Sequence, residues 1–259
     1  IKITRMDCLM IKIENVEVVG WEHAIRGMRN PLNSWEKSDS GKIYWNGTWY
    51  TLDPVVRSYF TNYGMNLMIG PNDFDLMKRL RNAGTDHRKF MRAIAVYMDI
   101  TAPLYWWKEF DTYKVGTVAN SCSTMHKIHA KEFTMEDFSC EHLIISDMGT
   151  FIPTSNRNHI TVSPKEILER FIIPSLNHSR TEYLETKDKD HWWQMIQLLP
   201  SSYNQKRTVM LNYEVLTNMY ESRKNHKLDE WRELCEWIKT LPYSELITGE
   251  FKEDTNNDN

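Results

Sequence analysis

The sequence predicts an α/β fold of the α+β kind, with a mixed sheet flanked by several long helices, in a single domain over residues 1–249. Three observations predict it. Short runs alternate apolar and polar residues, longer runs carry cap signals with apolar residues three and four apart, and no internal repeat or low-complexity joint divides them. In the first thirty residues Leu9, Ile11, Ile13, Val16 and Val18 follow the two-residue period of strands, and a helix is expected from Trp21 to Met28. Pro31 to Ser40 reads as a loop. An inserted β-hairpin is expected where Asn46-Gly47 joins the arms Ile43-Tyr44-Trp45 and Thr48-Trp49-Tyr50, because that pair accepts the positive φ angles of a tight turn. Asn72 as a cap, Phe74, Met77 and Leu80 on one stripe and Gly84 beyond them predict the next helix.

Ala93 to Met98 reads as a strand, followed by Pro103 and an aromatic helix, Leu104 to Phe110. Ser163-Pro164-Lys165-Glu166 is a capping box with proline at the first helical position, so a helix should run from there to about Leu184. Two further helices are expected, Val209 to Arg223 and Leu228 to Thr240. The tail 250–259 is acidic and Asn-rich, a composition that predicts disorder.

Composition excludes several function classes. Net charge is −3 with basic residues dispersed, which gives a nucleic-acid polymer no surface. No stretch approaches the roughly 18 apolar residues of a membrane span. The N-terminal residues lack a secretory pattern, so a cytoplasmic location is expected, and Asn46-Gly47-Thr48 is then a chance sequon. Cys8, Cys122, Cys140 and Cys235 lack paired spacing and read as reduced thiols. His126, His129, Cys140 and His142 are set down as solvated or hydrogen-bonded groups and not as metal ligands. The aromatic run Tyr105, Trp106, Trp107, Phe110 reads either as buried packing or as a face on which a flavin or base stacks.

Two segments together resemble the flavin-dependent thymidylate synthases (ThyX). The stretch from Pro103 through Leu104-Tyr105-Trp106-Trp107-Lys108-Glu109-Phe110 to Met125 lies without gaps against the family's proline, aromatic helix and signature RHRxxSxNExSxRY. In the second segment Leu199-Pro200 precedes Asn212 by twelve residues, and Asn212 precedes Arg223 by eleven, as the family's Leu-Pro, Asn and Arg do. The resemblance implies a homotetramer with active sites between subunits, holding flavin adenine dinucleotide (FAD) beside deoxyuridine monophosphate (dUMP). It implies transfer of a one-carbon unit from methylenetetrahydrofolate to a pyrimidine deoxynucleotide, with NADPH reducing the flavin.

By the same resemblance Arg223 is the catalytic and substrate-binding arginine that polarises the pyrimidine, although a helix C-terminus favours a surface arginine in any protein. Arg92, Glu109, Thr112, Tyr113, Lys114 and Asn212 fall at flavin-contacting positions, and Asn120, Ser121, Cys122, Ser123, Thr124 and Gln197 at nucleotide-contacting ones. The signature is altered. Its Arg-His-Arg reads Thr112-Tyr113-Lys114, its Ser-x-Arg-Tyr reads Cys122-Ser123-Thr124-Met125, and the family arginine ahead of the Leu-Pro aligns with Ile196. Each lost charge partner costs about 2 to 5 kcal/mol, so either Lys108, Lys114, Arg92, Lys206 or Arg207 compensates or the usual substrate is not bound. Cys122 reads as a nucleophile toward pyrimidine C6 or as a small core residue. Two functions follow: a flavin-dependent transferase, or a non-catalytic nucleotide-binding or interaction protein that keeps the fold.

Overall fold

A computed structural model describes residues 10–43, 53–146, 150–153 and 159–251. The Asn46-Gly47 turn and the tail beyond Phe251 lie outside the described residues. In chain order the elements are β1 (Lys12–Val19), α1 (Trp21–Arg29), β2 (Gly41–Lys42), α2 (Pro54–Tyr63), β3 (Leu67–Met68), α3 (Pro71–Asn82), β4 (Ala95–Pro103), α4 (Leu104–Phe110) and β5 (Val118–Ser121). There follow β6 (Thr150–Pro153), β7 (His159–Val162), α5 (Pro164–Ile167), α6 (Ile173–Thr186), α7 (Lys189–Leu198), β8 (Asn204–Asn212), α8 (Tyr213–Arg223), α9 (Asp229–Ile238) and α10 (Glu245–Thr248). Strands β1, β4, β8 and β5 form one sheet in that order, and β2–β3 and β6–β7 are two-stranded pairs. The chain is of mixed α/β class, as its patterning predicts.

The described residues gather into two compact units. The described residues of one lie within 10–12, 101–110 and 121–207, and those of the other within 13–100, 111–120 and 208–251. In the second unit α1 buries Trp21, Ala24, Ile25 and Met28, one stripe at three and four spacing, against the 3-10 turn Arg88–Ala93. Gly20, which opens α1, has φ of 96°, and a Cβ there would lie 1.9 Å from the carbonyl oxygen of Ala93. Only glycine fits that approach.

Helix α3 starts one residue before the expected cap, with Gly70 as N-cap and Pro71 in its first turn. Its exposed amides are capped from a distance: Asp39 accepts from the N–H groups of Asn72 (2.9 Å) and Asp73 (3.0 Å). Asp73 itself is fully buried and accepts from Arg29 Nε (2.6 Å), from the hydroxyls of Ser38 and Ser40 (both 2.6 Å) and from the amides of Asp39 and Ser40. Burial pushes its carboxyl up, but the hydrogen bonds from Ser38, Ser40 and Arg29 outweigh that and hold it below the usual aspartate value.

The expected helix from Val209 is corrected. Asn204 to Asn212 is strand β8, burying Gln205, Val209 and Leu211 at a two-residue period, and the helix begins only at Tyr213. Helix α8 is then buried through Tyr213–Thr217 and at Met219 and Tyr220, packed by α9, α10 and the Arg88–Ala93 turn.

In the first unit the Ser163 capping box is present in both directions, Glu166 N to Ser163 Oγ and Ser163 N to Glu166 Oε2. The helical run continues to Thr186 through a π turn at Leu168–Ile172. Pro174 explains the wide turn, because it has no N–H to return to Arg170. Helices α6 and α7 pack together, and Ile128, Phe133, Phe138, Leu168, Ile173, Leu176 and Met195 form the core. Trp106, Trp107 and Phe110 of α4 are at most 1% exposed, with ring centroids 4.9 to 5.1 Å apart. Those three rings pack inside, which leaves no face for a flavin or base.

Candidate functional site

In the second unit, Asn212 is the N-cap of α8 and Arg223 its last residue, so the eleven-residue spacing is the length of one helix. At 1.5 Å per residue the two stand roughly 16 Å apart along the axis, and no single pyrimidine ring touches both. Asn212 Oδ1 accepts from the Val215 N–H at 3.0 Å, the role of an N-cap. Gly116, with φ of 75°, passes so close that a Cβ would lie 2.8 Å from Asn212 Nδ2.

At the other end of α8 the Arg223 guanidinium lies 4.6 Å from the centre of the Trp231 ring and 5.6 Å from that of Tyr113. Its Nε donates to Tyr113 Oη at 3.0 Å, and its Nη1 lies 2.9 Å from His226 Nε2. The Tyr113 and Trp231 rings are 5.9 Å apart. The fold thus brings together Arg223 and Tyr113, both expected, with Trp231 and His226, which sequence reasoning missed. The one signal for them was position: His226 stands three residues past Arg223 and Trp231 opens the next helix. His226 Nδ1 also faces the Leu228 N–H at 3.2 Å. A neutral imidazole has one nitrogen lone pair, so it accepts from Arg223 or from Leu228 and not from both.

The other expected residues of this unit fare differently. Arg92 forms an ion pair with the buried carboxylate of Glu214, its Nη2 3.4 Å from Oε1, and Arg88 lies 3.6 Å from the same carboxylate. Thr112, Lys114 and Asn120 are exposed. Strand β5, which carries Asn120 and Ser121, is an edge of the four-stranded sheet and is exposed at every position.

In the first unit Cys122 is exposed, so the small-core reading of it falls away, and its N–H donates to the Lys206 carbonyl at 2.9 Å. Ser123 Oγ accepts from the amides of Met125 (3.2 Å) and His126 (2.9 Å) and so closes the turn after β5, with Thr124 half-buried inside it. Glu109 is half-buried on α4 and Gln197 exposed on α7. Ile196, aligned with a family arginine, packs against the core of this unit, where a guanidinium would lack partners.

His129 packs edge-on to Tyr183, ring centroids 5.0 Å apart. No group of three or more His, Cys, Asp or Glu side chains is gathered among the described residues. No helix among them is long and apolar enough to cross a membrane. A cleft of about 800 Å³ lined by Glu36, Lys37, Asp39, Asp75, Lys78 and Arg79 holds none of the expected site residues, and its charges are of both signs. That cleft shares no residue with the cluster around Arg223.

No protein-family model matches the chain, and no curated protein matches it. Solved structures do. Thymidylate synthase X from Helicobacter pylori, solved with FAD and dUMP, is 15% identical with a TM-score of 0.57, covering 91% of this chain and 94% of its own. The UMP/dUMP methylase PolB from Streptomyces cacaoi, bound with 5-Br dUMP, is 14% identical with a TM-score of 0.52, covering 92% of this chain and 95% of its own. The chain has the ThyX fold. Likeness at that identity carries the fold alone. Within the ThyX fold, the role of each residue rests on the geometry around it.

Proposed function

We propose that this chain is a flavin-dependent enzyme that transfers a one-carbon unit from methylenetetrahydrofolate to a pyrimidine deoxynucleotide, dUMP or a relative, working as a cytoplasmic homotetramer with NADPH as reductant. The observation that carries the reading is Arg223, held on Trp231 and tied to Tyr113 and His226, in a fold shared with proteins solved with dUMP and a dUMP analogue.

A uracil carbonyl gains negative charge as C5 becomes nucleophilic. A guanidinium kept planar and always cationic stabilises that charge without reorganising. Tyr113 and His226 orient the fork, and Trp231 shields one face of it from water. The family pattern assigns nucleotide contact to exposed Asn120 in the second unit and, in the first unit, to exposed Ser121, Cys122, Ser123 and Gln197 with half-buried Thr124.

The residues present fit FAD in a reduced set. In the second unit Thr112 and Lys114 are exposed and would supply a hydroxyl and an ammonium; in the first unit half-buried Glu109 would supply a carboxylate. Arg92 and Asn212 are committed elsewhere, to Glu214 and to the α8 cap. Bound FAD would supply the hydride.

The test is the visible absorption spectrum after addition of FAD and gel filtration. Retained flavin absorbance supports the enzyme, and a colourless protein that cannot be reconstituted rules it out. One observation favours the second reading, a non-catalytic nucleotide-binding protein: Arg223 already meets two internal hydrogen-bond partners. That reading expects dUMP binding without turnover.

A further inference from the structure

Trp35 is held half in water by groups that are themselves buried. It opens a 3-10 turn, Trp35–Lys37, and stays 49% exposed, with its Nε1–H donating to Asn30 Oδ1 at 2.9 Å. Arg29, 4% exposed, brackets that turn: Nη1 donates to the Ser34 carbonyl at 3.2 Å and Nη2 to the Lys37 carbonyl at 3.1 Å. Arg29 Nε donates to Asp73, and the same carboxylate accepts from the hydroxyls of Ser38 and Ser40. The segment from Ser34 to Ser40 is therefore pinned along its length, and Trp35 is its one large apolar side chain. A buried ion pair is costly to assemble, and this one fixes a segment that keeps its indole at the surface.

Trp35 lines a cleft of about 360 Å³ in the second unit, together with Ile25 and Leu67, each 6% exposed. Arg26, Lys42 and Glu22 bring charge to the same cleft, and Asp73 balances the charge of Arg29. Lys42 Nζ lies 3.3 Å from Glu22 Oε1 with both side chains about half exposed, a surface pair that a ligand's anion can compete with. Arg26 Nη2 lies 3.4 Å from His23 Nδ1. Two cations against one carboxylate favour an anion and disfavour a cation. Sites for small molecules are clefts of roughly 300 to 1,000 Å³ with apolar and aromatic walls and a few polar groups, and this cleft fits that description. An indole already fixed by its N–H and by the turn that carries it loses little freedom when a ring stacks on it.

We propose that this cleft binds a small molecule with a planar heteroaromatic ring and an anionic group, the ring packed on Trp35 and the anion drawn to Arg26 and Lys42. A phosphate ester and a carboxylate both supply such an anion. The proposal goes beyond the one-carbon-transfer reading and does not rest on it, since none of the lining residues belongs to the ThyX pattern.

The experiment is isothermal titration of the full chain with adenosine monophosphate, adenosine and folic acid, for wild type, Trp35→Ala, Trp35→Phe and Arg26→Ala, each with a thermal melt. Wild type should bind adenosine monophosphate on the order of 10-fold more tightly than adenosine. Trp35→Ala should weaken both on the order of 10- to 100-fold with little change in melting temperature, and Trp35→Phe should weaken them less. Arg26→Ala should bring adenosine monophosphate toward adenosine and leave adenosine itself unchanged. Tighter binding of adenosine monophosphate than of folic acid assigns the anion as a phosphate ester, and the reverse order assigns a carboxylate. Affinities that Trp35→Ala leaves unchanged overturn the site, as does a loss that both Trp35 variants show only together with loss of the fold. Wild type that binds none of the three probes at millimolar concentration also overturns it. A full preference for adenosine monophosphate in Arg26→Ala overturns the assignment of the anion to Arg26.

Discussion

Arg223 could be assigned a role from its place in the sequence, but the neighbours that orient it come from residues 110 positions earlier and eight later, so only folding shows that its fork is fixed. Substituting Arg223 by Ala should lower turnover at least about 100-fold while the thermal midpoint shifts little, and Arg223→Lys should not rescue it. Steady-state assays with circular dichroism melts read both quantities, and turnover that survives Arg223→Ala would remove it from the chemistry. Asp73 shows the opposite case, a charged residue whose work is structural. Asp73→Asn leaves Arg29 buried with a neutral partner and should cost about 3 to 5 kcal/mol of unfolding free energy. Because the folded-state carboxyl is held below its ordinary 3.8, its contribution is present above that value and is lost as pH falls below it. Denaturant titrations of wild type between pH 7 and 3 should therefore steepen at the acid end, and the Asn variant should show a flatter profile.

Among the elements, the cap of α8 separates structural from ligand-contacting work. Asn212→Ala should cost about 1 kcal/mol and Asn212→Asp almost nothing, since a carboxylate caps as well and suits the helix dipole. If Asn212 only caps, the Asp variant retains FAD to the same extent as wild type, and loss of flavin at unchanged stability would restore the contact read from the family pattern. Capping signals local in sequence, such as Ser163 with Glu166, were legible because every partner lies within one turn. The α3 cap is not legible in this way, because Asp39 supplies it from 33 residues away, while the local pattern points to Asn72. Val209 to Asn212 reads as helix in sequence and folds as strand for a related reason. Val209, Met210, Leu211 and Asn212 suit either period, and pairing in the sheet decided between them.

For the whole molecule, tetramer assembly should appear in sedimentation velocity as a species about four times the 30.9 kDa chain. Exposed Val115 and Val118 beside the open edge of β5 mark a surface that such assembly could cover, and a monomer at micromolar concentration would exclude the shared-site model. The sequence by itself determined the mixed α/β class, the helices with local caps and the positions of Arg223, Asn212 and Cys122 relative to the ThyX pattern. These depend on periodicity, on caps a turn apart and on spacing along the chain, all of which are properties of neighbouring residues. Tertiary structure alone decided that Asn212 caps a helix, that Arg92 pairs with Glu214, that Ile196 belongs to a core and that Arg29, bound to Asp73, brackets the turn of Trp35. Each of those facts joins side chains held together by burial and hydrogen bonding, and a one-dimensional pattern has no term for partners that only the folded chain brings within 3 to 4 Å of one another.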